Sequence, residues 1–397
     1  MNSHGPVAAA CPGRARWARL VGVGVLALGV LAACGKKDKD IDPPAELVKF
    51  AATLDVQKVW SESTGGAEPV LRLALVPAVA GDTVYAAGHG GDVLAIAAPT
   101  GKLLWRTDTR LELSAGPGTG AGLVVVGTAD GDVVALDAAT GKQRWKVRIP
   151  GEVLAAPAIA ESGVHLRAVD GRIYTLALAD GKRVWNDEQG VPRLSLRGSA
   201  PPTLTAEALL VPYDNGKLLA YAPVQGDILW EASANPPSGK TELARLNDID
   251  GPVVVDGKDI FVAGFQGRIA MLALDSGQVW WSRDFSAAGG PALGADNVYA
   301  TNAAGTVVAL RRKDGAPVWE QSALAHRQVT PPAVSGDTVV VADFEGAVHW
   351  LDATTGALVG RASVGDRVRF APVVADKLVI VQDDKGTVTA FRTRPAR

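Results

Sequence analysis

The sequence predicts an all-β fold: an eight-bladed β-propeller of four-stranded antiparallel blades, its ring closed by the N- and C-terminal strands in one blade. Three observations carry this. A fifteen-residue unit recurs seven times at periods of 38 to 51 residues, and an eighth, shortened copy ends the chain. Each period holds about four short apolar runs separated by turn residues. Within the repeated unit the apolar residues fall on both faces, as a sheet wedged between two others requires. A β-sandwich, the alternative architecture, would leave one face polar and alternating.

The chain opens with an address. Arg14, Arg16 and Arg19 precede the apolar run LVGVGVLALGVLAA, Leu20 to Ala33. A membrane span needs about 20 residues, so this shorter run reads as a secretory signal over residues 1–33. Its end, Leu31-Ala32-Ala33-Cys34, resembles the bacterial lipoprotein box. That resemblance implies that the Cys34 thiol receives a diacylglycerol and becomes the new N-terminus. The plainer alternative is a cleavable signal with a chance cysteine. Several acyl chains anchor a protein stably where one holds it weakly. Gly35 follows the cysteine, in place of the aspartate that retains lipoproteins in the inner membrane of enteric bacteria. By that analogy the expected location is the periplasmic face of the outer membrane. GKKDKDIDPP then forms a charged tether of ten residues, which reaches about 35 Å when extended. Residues 34–46 are thus expected to be lipidated cysteine and tether, and residues 47–393 the propeller.

The first full copy of the unit is GDVLAIAAPTGKLLW, residues 91–105, and the second is GDVVALDAATGKQRW, residues 131–145. Further copies begin at Gly171, Gly216, Gly267, Gly305 and Gly346. A second glycine lies ten residues after the first in all seven, in a tight turn that needs positive φ. Six copies place a tryptophan four residues later: Trp105, Trp145, Trp185, Trp230, Trp281 and Trp319. These are read as core wedges, each worth up to about 5 kcal/mol by buried area. The seventh copy has Gly360 there, and Trp350 is placed to fill the space. Its outer strand is expected to be the most loosely held. The last copy lacks an outer strand, and LDVQKVW, residues 54–60, supplies one with Trp60 in the tryptophan position. Pairing the two ends removes the open edges of the ring.

Composition excludes several chemistries. The net charge is −2, and without the three arginines of residues 1–33 it is −5. A nucleic-acid partner would require concentrated Lys and Arg. Only Cys11 and Cys34 are present, so the ring uses no disulfide. His89, His165, His326 and His349 fall in different blades, without metal-ligand spacing. GPGTGAGL, residues 116–123, leads into a strand, so it lacks the helix dipole of a phosphate cradle. Asn247-Asp248-Ile249-Asp250-Gly251 resembles half a calcium loop without its bidentate glutamate.

Spacing also singles out two connections. Most run ten to thirteen residues from tryptophan to the next proline-led strand, but Trp185 to Pro201 takes 16 and Trp230 to Pro252 takes 22. They are successive, and such connections emerge on one face, so they are expected side by side. In extended chain, alternate residues share a side: Leu194 with Leu196, and Asp248 with Asp250.

The repeat pattern is similar to that of pyrroloquinoline-quinone enzymes and of other propellers, so it does not fix a function. LSLRGSAPPT (194–203), KTELARLNDIDGPVVVDG (240–257) and AHRQVTPPAV (325–334) resemble the BamB family, over roughly residues 31–393. Its members are lipoprotein subunits of the outer-membrane β-barrel assembly machinery. The resemblance implies a non-catalytic, cofactor-free scaffold that binds the periplasmic POTRA domains of BamA. Direct contact with unfolded barrel clients stays open. The family's BamA-binding residues carry over as Leu194, Leu196, Arg197, Asp248 and Asp250. Alternatively, the leucines plug their loop onto the ring and Arg197 bridges to Asp248 or Asp250. Two other functions share this fold. A quinone-dependent dehydrogenase would need a calcium-bound quinone and usually a vicinal cysteine pair, which is absent. A generic envelope scaffold would not need the two long loops.

Overall fold

The computed structural model describes residues 42–65, 73–190, 192, 200–236 and 247–396. Pro44–Arg397 forms one compact unit; of the other, Met1–Pro43, only Asp42 and Pro43 are described. No helix occurs among the described residues.

Eight sheets follow one another along the chain. Blade 1 comprises Ala78–Ala80, Thr83–Ala87, Asp92–Ala97 and Leu103–Asp108, from the central axis outward. Blades 2 to 7 repeat this plan and end on the outer strands Gln143–Arg148, Arg183–Glu188, Ile228–Ser233, Val279–Asp284, Pro317–Gln321 and Leu358–Ser363. A two-residue strand, Ala74–Leu75, additionally pairs in parallel with the inner strand of blade 2. Blade 8 joins the two ends of the propeller: Leu54–Ser63 lies antiparallel to Thr387–Pro395, as the shortened last copy predicts.

Hydrophobic burial explains why the middle strands are apolar throughout. In blade 1, Val84 to Ala87 and Val93 to Ile96 are all buried. Their side chains point alternately to the two neighbouring blades, so each of eight hydrophobic clusters fills one junction. In blade 3, for example, Ile173 packs toward blade 4, and Tyr174 and Leu176 toward blade 2.

The tryptophans do more than fill space. Each lies on the hairpin glycine of the next blade and donates its indole N–H to the carbonyl three residues before that glycine. Trp60 bonds Ala98 O at 2.7 Å, Trp145 bonds Leu178 O at 2.8 Å and Trp319 bonds Ala353 O at 3.0 Å. Trp105, Trp185, Trp230 and Trp281 make the same bond. This accounts for Gly360. The next blade there is blade 8, whose outer pair comes from distant parts of the chain and has no hairpin to receive an indole. Leu54 and Val56 fill the room instead: a Cβ on Gly360 would lie 3.0 Å from Val56 Cγ2 and 3.4 Å from Leu54 Cβ. Trp350, opposite Gly360, is fully buried against Phe391. The outer strand of blade 7 is not left bare, because Thr53 N–H donates to Val359 O.

Strand order defines two faces. The turns between second and third strands lie beside the outer-to-inner connections, as the bonds Ile149 N–H to Gly131 O and Val364 N–H to Gly346 O illustrate. This is the loop face. The remaining hairpins make the opposite, hairpin face. GPGTGAGL is confirmed as strand and turn, with Gly116 to Gly120 in the inner strand of blade 2. A Cβ on Gly118 would lie 2.1 Å from Pro157 O, so close approach of the next blade, not an anion, explains that glycine.

Candidate partner-binding site

Leu194, Leu196 and Arg197 lie outside the described residues, as do 237–246 of the second long connection. The ends of both connections are described, and they meet around one turn. Asn215 Nδ2 donates to Gly190 O (3.3 Å), where the first connection begins. The adjacent Gly216 O accepts from Asn235 N–H (2.9 Å), where the second begins. Asn235 and Asn247 then bond each other reciprocally, each amide to the other's carbonyl, and staple the base of the second connection. At their far ends, Thr203 Oγ1 donates to Val253 O (3.0 Å). The adjacency expected from spacing is therefore present at both ends.

The shared turn is stiffened from beneath. Arg167 of blade 3 forms an ion pair with Asp214 of the turn, both buried, and its guanidinium lies 5.4 Å from the Tyr213 ring centroid. Tyr213 and Tyr221 share a hydrogen bond of 3.0 Å, and Tyr221 donates to Asp187 at 2.9 Å. Burial pushes the Tyr213 hydroxyl up to about 12, so it stays neutral across the physiological range.

The two aspartates are unequal. Asp248 is fully buried, between buried Asn247 and Ile249, and its carbonyl accepts from Phe265 N–H at 2.8 Å. Asp250 is half-buried and lines the central channel. Simple alternation does not describe them, because 247–250 is not strand.

The channel has a volume of about 660 Å³. Proline-led inner strands line it, including Pro77, Pro117, Pro157, Pro252 and Pro291. Proline has no N–H to offer, which limits strand pairing along these inner edges; in blade 2 the added strand Ala74–Leu75 pairs only up to Gly116, just before Pro117. Glu152, Asp250 and Arg369 are its charged lining residues. Among the described residues, no group of three or more His, Cys, Asp or Glu side chains could hold a metal ion.

A second polar cluster, not foreseen from the sequence, sits on blade 7. Arg327, buried in the AHRQV motif, bonds Asp343 (2.6 Å), Glu345 and the carbonyl of Ala45 (3.0 Å). Arg361 donates to Val48 O (3.1 Å) and to His349 Nδ1 (3.2 Å), and stacks 5.0 Å from the Phe50 centroid. His349 Nε2 in turn faces Asp343 (3.2 Å). Burial holds His349 below its ordinary value despite that carboxylate. Burial alone would raise Asp343, but the hydrogen bonds from His349 and Arg327 hold it below the usual range.

Taken together, the ring and its clasped blades define an eight-bladed repeat propeller in which the described ends of two long connections meet in one sector. The family model described as "Outer membrane protein assembly factor BamB" matches residues 44–107, 89–321 and 314–396. The chain is 48% identical to the outer membrane protein assembly factor BamB of Pseudomonas aeruginosa over 370 residues, covering 93% of this chain and 97% of that one. The crystal structure of BamB from Moraxella catarrhalis superposes with a TM-score of 0.78 at 27% identity, over 85% of this chain and all of that one (100%). A quinohemoprotein alcohol dehydrogenase from Comamonas testosteroni shares the fold alone, with a TM-score of 0.66 at 16% identity over 85% of this chain and 76% of that one. This chain belongs to the BamB family of outer membrane protein assembly factors.

Proposed function

We propose that this protein is a non-catalytic scaffold of the outer-membrane β-barrel assembly machinery. It is anchored through a lipidated Cys34 on the periplasmic face of the outer membrane, works without a cofactor and binds the POTRA domains of BamA. The observation that carries the reading is the pair of oversized connections around the Asn215–Gly216 turn, in a chain of this family. Leu194 and Leu196 are assigned as apolar anchors, and Arg197 and Asp250 as charges that set register. The buried Asp248 is assigned to hold its loop in shape, so its effect on binding is indirect. The long loops favour this over a generic envelope scaffold, and family membership favours it over a quinone-dependent dehydrogenase.

The test is to replace Leu194 and Arg197 together by alanine. The ring should keep its circular dichroism and thermal midpoint, while capture of purified BamA POTRA domains weakens by about 30-fold or more, the scale of a hot-spot loss of 2 kcal/mol. Unchanged affinity in the folded variant would refute the assignment.

A further inference from the structure

The chain between Ala45 and Thr53 crosses blade 7 from one face of the ring to the other. Thr53 lies on the hairpin face: its N–H bonds Val359 O, and its carbonyl accepts from Ala396 N–H beyond the last strand. Ala45 lies on the loop face: its N–H bonds Ala325 O, in the connection between blades 6 and 7. Between them Leu47 packs on the core of that junction, and Arg327 and Arg361 grip the backbone carbonyls of Ala45 and Val48. This crossing is a strap. Without it the chain would leave the ring at Leu54, on the hairpin face, because Leu54 pairs with Pro395 at the far end of the closing strands.

We infer that the strap sets which face of the ring is held toward the lipid bilayer. Docked, it moves the exit of the tether from the hairpin face to the loop face, where the two long connections also emerge. The inference rests on lipidation of Cys34. Ten residues, 35–44, then separate the anchor from the docked Ala45. A flexible chain of that length has a root-mean-square reach of about 18 Å. A six-residue strand, the depth of a blade, measures about 20 Å. The average span of such a chain is therefore no greater than the depth of the ring, and the face it leaves is on average the nearer one. A partner held by the long connections sits on the membrane side of the ring.

Two single-cysteine variants test this in the full-length lipidated protein. Ala303→Cys places a fluorescent donor on an exposed turn of the loop face, and Thr354→Cys places one on an exposed turn of the hairpin face. Both proteins are purified from membranes and reconstituted on vesicles of phosphatidylethanolamine and phosphatidylglycerol carrying an acceptor-labelled lipid. Energy transfer should be stronger from position 303 than from position 354. Adding Arg327→Ala with Arg361→Ala releases the strap and should reverse the order. A thirty-residue Gly-Ser insertion between Lys39 and Asp40 leaves the ring untouched, doubles the reach to about 36 Å and should erase the difference, so the inference stays testable even if the arginine variant does not fold. Equal transfer from both positions in vesicle-bound protein would overturn the inference alone. Failure to associate with vesicles at all would overturn the lipidation reading as well.

Discussion

Two glycines with matching φ and different surroundings isolate what the tryptophan clasp contributes. Gly122 (φ +73°) and Gly181 (φ +72°) both sit in hairpin turns in the left-handed region. A Cβ on Gly122 meets nothing within 4 Å, whereas one on Gly181 would lie 2.7 Å from Trp145 Cε3 and 2.9 Å from Val147 Cγ1. Gly122→Ala should therefore cost only the left-handed conformation, about 1–2 kcal/mol. Gly181→Ala carries the same cost and also drives the indole off its seat. Overpacking adds about 1–3 kcal/mol. Losing the Trp145–Leu178 hydrogen bond adds about 1 kcal/mol. The expected excess of Gly181→Ala over Gly122→Ala is thus about 2–4 kcal/mol, read from urea unfolding followed by far-ultraviolet circular dichroism. In a Trp145→Phe background the excess should shrink, because the bond is already gone and the ring is smaller; the two positions should couple by about 1 kcal/mol or more. Equal destabilisation by the two glycine substitutions would show that the indoles carry no inter-blade load, and the clasp account would fall.

Two further predictions concern buried groups. His165 is fully buried, bonded to Ser162 (2.9 Å) and Thr175 (2.7 Å), and burial pushes its pKa down to about 4. The unfolded chain then binds the extra proton first, so stability falls as pH drops from about 6.5 toward 4, by at most about 3 kcal/mol. Unfolding midpoints across that window should show the loss, and His165→Gln should remove this part of it. Gly360→Trp, which would complete the repeat pattern, should instead destabilise the ring by displacing Leu54 and Val56, at about 1–3 kcal/mol. A raised thermal midpoint in that variant would contradict the explanation given for the missing tryptophan.

The blades were legible because they repeat: the ten-residue glycine spacing fixes a hairpin, and Trp60 identifies the strand that completes blade 8. That the ends of the two long connections meet was legible too, because the connections are successive and such connections emerge on one face. What the tryptophans bond to was not, since the acceptor carbonyl of Leu178 or Ala353 belongs to the next blade and any residue can supply it. The strap was hidden for a similar reason. Arg327 meets Ala45 across 282 residues, and nothing periodic marks either. The burial of Asp248 escaped the alternation argument because that argument holds for strand, and residues 247–250 are not strand.

The seam in blade 8 bears on how the chain reaches its final state. Ser61 and Thr389, bonded at 3.1 Å, are 328 residues apart. A chain delivered first residue foremost must carry one naked strand through nearly all of its synthesis and transit before a mate arrives. Asp55, Lys58 and Glu62 interrupt that strand's apolar residues with charge, so it is poorly suited to stacking against a copy of itself while it waits.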